Sequence, residues 1–267
     1  MNILVCVKQV PDTSEIQTDP VTHTLIRDDV PSIVNPFDTY ALEAAARIKD
    51  HMPDLRIVVM SMGPAQAEKA LRECLAIAAD KAYLLNDRLF RGSDTLATGY
   101  ILSHAVRALQ ALEGPFSAIF CGRQAIDGDT AQVGPELAEY LDLPQVTCAL
   151  QAHLDGDALE ILQEGEDCRR RIHVGLPCLV TFTKPSFEPR FPTIRRKMAA
   201  SKAAITCLHA DQLTGLDCAH AGLSGSPTRV KRTFVPVFHK SGYTIQWNDV
   251  PNAAQKLAKI IQDINES

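Results

Sequence analysis

The chain has 267 residues, 46% of them hydrophobic and 22% charged, with a net charge of −5. That composition fits one large globular domain with extra arms, and it excludes intrinsic disorder and a fibrous repeat. No apolar run approaches the ~20 residues of a membrane helix. The acidic balance makes nucleic acid an unsuitable partner.

Met1 to Val7 reads as a first β-strand. It has neither a basic n-region nor a small-residue cleavage site, so no signal peptide is expected and a cytoplasmic location is. Asn35-Pro36-Phe37-Asp38 reads as a helix start, with Asn at the N-cap, Pro where a missing N–H costs nothing, and an acid in the first turn. Ala41, Ala45 and Ile48 give this helix its buried stripe. Arg56 to Met62 is a second strand, ended by Gly63-Pro64. Ala67 to Ala79 follows as a helix, with Ala70, Leu71, Cys74, Leu75 and Ala78 toward the core. Lys81 to Leu85 is a third strand, and a helix opening at Asp94 carries Leu102, Val106, Leu109 and Leu112. Ser117 to Cys121 is a fourth strand, and after a Gly- and Asp-rich loop come a short helix around Glu136 to Tyr140 and a strand from Gln145. Strands alternating with helices predict an open, mostly parallel α/β sheet covered on both faces.

From about residue 151 the alternation stops. Ala158 to Gln163 and Arg169 to Val174 read as a hairpin, and Leu179 to Thr183 as a further strand. Between Lys184 and Lys202 six basic residues (Lys184, Arg190, Arg195, Arg196, Lys197, Lys202) face one acid, Glu188, giving this stretch +5 and the remainder −10. Prolines at 185, 189 and 192 predict an extended, exposed loop there. A solvated face is the plain reading of such a charge run. Asn248 to Ile264 is an amphipathic helix whose stripe of Ala253, Leu257, Ile260, Ile261 and Ile264 needs a cover. The expected organisation is an α/β domain over 1–225, including the basic loop at 184–202, and a C-terminal arm over 226–267.

Eight cysteines, at 6, 74, 121, 148, 168, 178, 207 and 218, stand in apolar contexts without a C-x-x-C pair and read as reduced thiols rather than disulfides or an iron–sulfur site. The C-x-H repeats at Cys207/His209 and Cys218/His220 match no usual zinc spacing, so no metal is expected.

In open parallel sheets ligands gather at the carboxyl ends of strands where the strand order reverses. The most distinctive such segment is Cys121-Gly122-Arg123-Gln124-Ala125-Ile126-Asp127-Gly128-Asp129-Thr130-Ala131-Gln132-Val133-Gly134-Pro135-Glu136. Its glycine admits close backbone approach, its Gln, Asp and Thr side chains offer hydrogen bonds, and it feeds a helix N-terminus suited to a phosphate. A plain turn has the same composition.

Together with Val5-Cys6-Val7-Lys8-Gln9-Val10-Pro11-Asp12, Asn35 to Asp38, Ser61-Met62-Gly63-Pro64 and Glu188-Pro189-Arg190-Phe191, this loop resembles the beta subunit of electron transfer flavoproteins over almost the whole chain. The resemblance implies an adenine-nucleotide-hydrolase-like sheet. It also implies a nucleotide site built from Cys6, Asn35, Phe37, Asp38, Met62, Gly122, Arg123, Gln124, Ala125, Asp127, Asp129, Thr130 and Gln132. Cys6 and Met62 read equally well as core, and Asn35 as a helix cap.

Ordinary members hold AMP and show a more acidic, Cys-Asn-bearing loop. Asp127-Gly128-Asp129-Thr130-Ala131-Gln132-Val133-Gly134-Pro135 looks instead like the electron-bifurcating members, in which FAD takes the AMP position. The segment Arg88 to Thr98 points the same way, with Asp94, Thr95 and Thr98 as further cofactor contacts, or with Ser93 or Asp94 as a simple N-cap. The resemblance then implies an electron carrier subunit with no catalytic residue of its own, whose complex oxidises NADH. Its partners would be an alpha subunit carrying FAD, a client flavin dehydrogenase, and ferredoxin or flavodoxin. No G-x-G-x-x-G occurs, so NADH is not expected in a Rossmann site of its own. The resemblance also makes the basic stretch a docking loop, with Ile194 as apolar anchor beside Arg195, Arg196 and Lys197, and it packs the C-terminal helix on the alpha subunit. A nucleotide-hydrolysing protein of the same superfamily is the competing class. It would carry a glycine-rich phosphate loop after strand one, where this chain has Lys8-Gln9-Val10-Pro11-Asp12.

Overall fold

A computed structural model describes residues 1–12, 17–18, 25–26, 31–229, 231 and 250–265. The chain divides into two units, Met1–Arg229 and Val230–Ser267.

In the first unit the chain begins with β1 (Asn2–Cys6) and then makes short pairings, β2 (Gln9–Pro11) with β5 (Ser32–Val34) and β3 (Gln17–Thr18) with β4 (Leu25–Ile26). The main alternation follows: α1 (Pro36–His51), β6 (Arg56–Met62), α2 (Glu68–Ile77), β7 (Lys81–Leu85), α3 (Thr95–Glu113), β8 (Ala118–Gly122) and α4 (Val133–Tyr140). After these come β9 (Gln145–Asp155), β10 (Ala158–Glu164), β11 (Arg169–Gly175), β12 (Cys178–Phe182), α5 (Ile194–Lys202) and β13 (Thr206–Leu208).

Nine strands form one sheet in the order β11-β10-β9-β12-β8-β1-β6-β7-β13. All neighbours are parallel except β9-β10 and β10-β11. The predicted mostly parallel α/β sheet is therefore the fold. From β1 the chain builds outward through β6 and β7, then crosses back to set β8 on the other side of β1. The strand order thus reverses between β1 and β8, and in sheets of this kind the ligand crevice lies beyond the carboxyl ends of the strands at such a reversal.

Period-two alternation along β1 sends Ile3 and Val5 to one face and Leu4 to the other. The first face packs on α1 and α2 through Ala41, Leu42, Ala45, Leu71 and Cys74. The second packs on α3 and α4 through Ile101, Val106, Leu109 and Leu137. The predicted stripes of α1 and α2 are buried, but Leu112 of α3 is 61% exposed because Leu109 and Glu113 already take the inward positions of that last turn.

The expected hairpin after residue 151 is present and belongs to the main sheet, because β12 returns between β9 and β8. The expected extended loop at 184–202 is corrected: α5 occupies Ile194–Lys202. All three prolines precede it, and the Thr193 side chain caps it by accepting the Arg196 N–H at 3.2 Å.

The second unit contains α6 (Val250–Asn265). Leu257, Ile260, Ile261 and Ile264 on this helix are exposed. The predicted start at Asn248, and arm residues 230, 232–249 and 266–267, lie outside the described residues. Among the described residues no helix is long and apolar enough to cross a membrane.

Candidate functional site

The crevice at the β1–β8 reversal is organised by two buried polar side chains at the start of α1. Asp38 accepts the Lys8 N–H on Oδ2 at 2.7 Å and the Gly122 N–H on Oδ1 at 3.0 Å, tying the chain after β1 to the end of β8. Burial pushes its carboxyl up to about 7, against hydrogen bonds from Asn35, Lys8 and Gly122 and the charge of Lys8. Asn35 stands at the N-cap position but makes no capping bond. Its side chain instead reaches the facing loop, where Nδ2 donates to the Gln124 carbonyl at 2.8 Å and Oδ1 accepts the Ile126 N–H at 3.2 Å. Both side chains thus tie the start of α1 to the segments after β1 and β8.

Gly122 is required for this closeness. A Cβ there would lie 2.2 Å from Asp38 Oδ1 and 2.8 Å from backbone atoms of Asp38 and Phe37. Beyond it, Arg123 donates its N–H to Phe182 O at 2.7 Å, and its guanidinium lies 5.4 Å from the Phe37 ring centroid. Gln124 Nε2 donates to Asp129 Oδ1 at 2.8 Å. Asp127 pairs with Lys8 Nζ at 2.7 Å across the mouth of the crevice. Both partners of that pair are part-exposed, so it contributes at most about 1 kcal/mol.

The loop is folded by its own backbone, with the N–H groups of Gly128 and Asp129 both donating to Ala125 O. Asp129 (φ 51°) and Ala131 (φ 55°) adopt the left-handed region, which costs a non-glycine residue roughly 1–2 kcal/mol. Such strain collects where backbone groups must be aimed at a ligand. The N–H groups of Thr130, Ala131 and Gln132 donate to no described residue, and they lead directly into the N-terminus of α4. Unbonded amides, left-handed backbone and a helix start are the features that anion-binding backbone arrangements share.

The opposite wall is α3. Thr95 Oγ1 lies 3.2 Å from Gln132 Oε1 and 3.1 Å from Glu136 Oε1, bringing the two predicted segments together. The other oxygen of Glu136 is buried without a partner among the described residues, and burial raises its carboxyl. Asp94 is fully engaged elsewhere: Oδ1 caps α3 through the Ala97 N–H, while Oδ2 accepts the Thr228 N–H and hydroxyl. Burial opposes ionisation of Asp94, but the bonds from Ala97, Thr228 and Ser226 outweigh it and hold its carboxyl below the usual range. Thr98, half-buried, donates its N–H to Asp94 O in the first turn of α3. Cys6 lies beside Cys121 and Met60 at the end of β1, and Met62 ends β6.

The proposed docking residues fall on α5, away from this crevice. Ile194 is 80% exposed and Arg195 and Lys197 are exposed, but Arg196 turns inward. Its guanidinium donates to the carbonyls of Leu75, Ala76 and Ala79 at the end of α2. Arg190 likewise pairs with buried Glu43 and with Asp50. A cavity of about 460 Å³ lined by Glu43, Arg47, Asp50, His51, His153 and Arg190 sits at the carboxyl end of α1. It lies along the second half of α1, away from the crevice at the start of that helix.

Sequence reasoning missed Lys8 and Glu136. Lys8 carried a signal, being a cation directly after the first strand, while the unpartnered oxygen of Glu136 left no trace in the residue order. Cys207/His209 and Cys218/His220 do not converge, and among the described residues no group of three or more His, Cys, Asp or Glu is arranged to hold a metal.

Residues 22–213 match the electron transfer flavoprotein domain family. The electron transfer flavoprotein subunit beta of Megasphaera elsdenii is 51% identical, covering 93% of each chain. That of Thermoanaerobacterium thermosaccharolyticum is 48% identical, covering 97% of each. The caffeyl-CoA reductase-Etf complex subunit CarD of Acetobacterium woodii is 43% identical, covering 98% of each. With a mostly parallel sheet and relatives aligned nearly end to end, this chain belongs to the electron transfer flavoprotein family as a beta subunit, an electron carrier.

Proposed function

We propose that this subunit holds FAD in the crevice at the β1–β8 reversal, at its interface with an alpha subunit. The complex then takes electron pairs from NADH and divides them between ferredoxin or flavodoxin and an acyl-CoA-type dehydrogenase reached through the alpha-subunit FAD. The observation that carries the reading is the loop from Gly122 to Gln132, whose strained backbone leaves three consecutive amides without a partner among the described residues, beside α4. A diphosphate suits that donor set, and the flexible cation of Arg123 stands next to it. The bifurcating form is supported by the Asp127 to Pro135 sequence, by the contact of Thr95 with Gln132, and by the reductase-complex name of one relative.

The flavin supplies the conversion of a two-electron donor's hydride into single electrons. The chain's own residues bind and orient. Asp38 and Asn35 fix the floor, the amides of Thr130 to Gln132 hold the anionic half, and Thr95 and Gln132 form the wall toward α3. Ile194 with Arg195 and Lys197 serves as the docking knob for the client dehydrogenase.

Co-purification with the alpha subunit, followed by flavin counting, tests this. Two flavins per heterodimer are expected, and one flavin with bound AMP would overturn the bifurcating reading. Asp129→Ala combined with Gln132→Ala is expected to lower beta-site occupancy several-fold while the partner's FAD remains; unchanged flavin content would remove the loop from the site.

A further inference from the structure

Beneath the crevice, at the point where the strand order reverses, two cysteines stand side by side. Cys6 is the last residue of β1 and is paired in register with Cys121 of β8. The parallel register puts both side chains on one face of the sheet, where Cys6 packs against the cluster that contains Cys121. Cys121 is buried, whereas Cys6 is part-exposed. Both are free cysteines, and hydrogen bonding to Cys6, together with burial, holds the Cys121 thiol well above its usual pKa. Of the other six cysteines, no two are neighbours in the strand register, and Cys168, Cys207 and Cys218 are exposed on separate elements.

Adjacent strands lie ~4.8 Å apart. That spacing falls inside the 4.4–6.8 Å Cα window of disulfides and slightly beyond their preferred Cβ separation of about 3.8 Å. A bond here therefore forms only by drawing β1 and β8 together, and it is strained and readily reduced. The strands it would draw in are those that Asp38 spans one and two residues further on, through Gly122 and Lys8.

We propose that Cys6 and Cys121 are a reversible dithiol–disulfide pair, a modification site in the crevice floor whose oxidation closes the nucleotide cradle above it. The oxidant is a small disulfide such as oxidised glutathione. The Cys6 thiolate attacks it, forming a mixed disulfide and releasing one glutathione thiol; the Cys121 sulfur then attacks the Cys6 sulfur and expels the second. Two protein thiols lose two electrons and two protons, and the small disulfide becomes two thiols. Cys6 is the entry point because it is the exposed member, and Cys121 resolves the adduct.

The effect on the cradle rests on the nucleotide reading, whereas the bond itself does not, so the experiment has two arms. In the first, the full chain is equilibrated with oxidised and reduced glutathione, alkylated and digested with trypsin. A cross-link between peptides Met1–Lys8 and Ala108–Arg123 is expected, and it is lost on treatment with dithiothreitol. In Cys121→Ser, Cys6 is expected to be trapped as its glutathione adduct, and Cys6→Ser should leave Cys121 unmodified. A wild-type Cys6 that stays fully alkylatable while Cys168, Cys207 and Cys218 form adducts overturns the pair. In the second arm, equilibrium dialysis with FAD and with AMP compares oxidised and reduced wild type. A several-fold loss of binding that dithiothreitol restores is expected, and equal binding by the cross-linked and reduced forms overturns the closure. If neither nucleotide binds the reduced chain, the nucleotide reading fails on its own while the peptide arm still decides the pair.

Discussion

Asp38 joins two strand ends through one buried carboxyl, and its ionisation is coupled to folding. Its folded pKa, about 7, stands above the ordinary 3.8. Between these values the folded chain binds more protons than the unfolded chain, so stability falls with rising pH. The contribution is complete below about pH 4 and lost as pH passes about 7, amounting to at most about 4 kcal/mol. Urea melts from pH 5 to 8 should therefore show a declining midpoint in the wild type. The decline should be flattened in Asp38→Asn, which starts lower because it surrenders one of the two N–H acceptors. Parallel slopes for the two proteins would show that Asp38 does not titrate in this range. Little of this was visible in the residue order. Asn-Pro-Phe-Asp read correctly as a helix start, yet Asn35 and Asp38 direct their side chains to a loop about 90 positions away, a pairing that no local pattern encodes. The left-handed backbone at Ala131 was equally silent, since alanine does not advertise a positive φ as glycine does.

At the scale of elements, α2 and α5 are fastened to each other at their ends. Arg196 of α5 satisfies three carbonyls where α2 ends, and Arg72 of α2 donates to the carbonyls of Ala200 and Ala203 where α5 ends. Arg196→Ala is expected to destabilise the chain by about 1.5–3 kcal/mol in urea titration, by leaving charge-assisted bonds unmade. Arg195→Ala, on the exposed side, should stay within about 0.5 kcal/mol. Ile194→Ala, at the exposed tip of the same helix, should slow electron delivery to the client dehydrogenase at least several-fold without changing flavin content, as read by stopped-flow reduction of the client. Equal rates would remove the docking role. Long periodic helices and strands were legible from their apolar spacing. α5 was not, because its prolines dominate the reading of the segment although all of them precede the helix. β13 was missed for another reason: three residues are too few for alternation to register, and only its pairing with β7 makes it a strand.

The whole molecule is two units of unequal self-sufficiency. Both core clusters lie within residues 3–221, whereas α6 exposes Leu257, Ile260, Ile261 and Ile264. A chain ending at Arg229 is expected to keep its thermal midpoint within about 2 °C, since a small loss moves a domain of this size only a few degrees per kcal/mol, while losing co-elution with the alpha subunit in size-exclusion chromatography. Retained co-elution would place the partner surface elsewhere. The sheet itself has two free margins among the described residues, β13 and β11. An open margin is a template on which copies of the same chain can zip together into aggregates. β13 limits that risk by being three residues long. β11 spans seven and limits it with exposed Arg169, Arg170 and Arg171, whose like charges would meet in any head-on approach of two such margins. These three arginines, outside every functional surface described above, are expected to oppose polymerisation of this carrier along its own sheet in a concentrated solution.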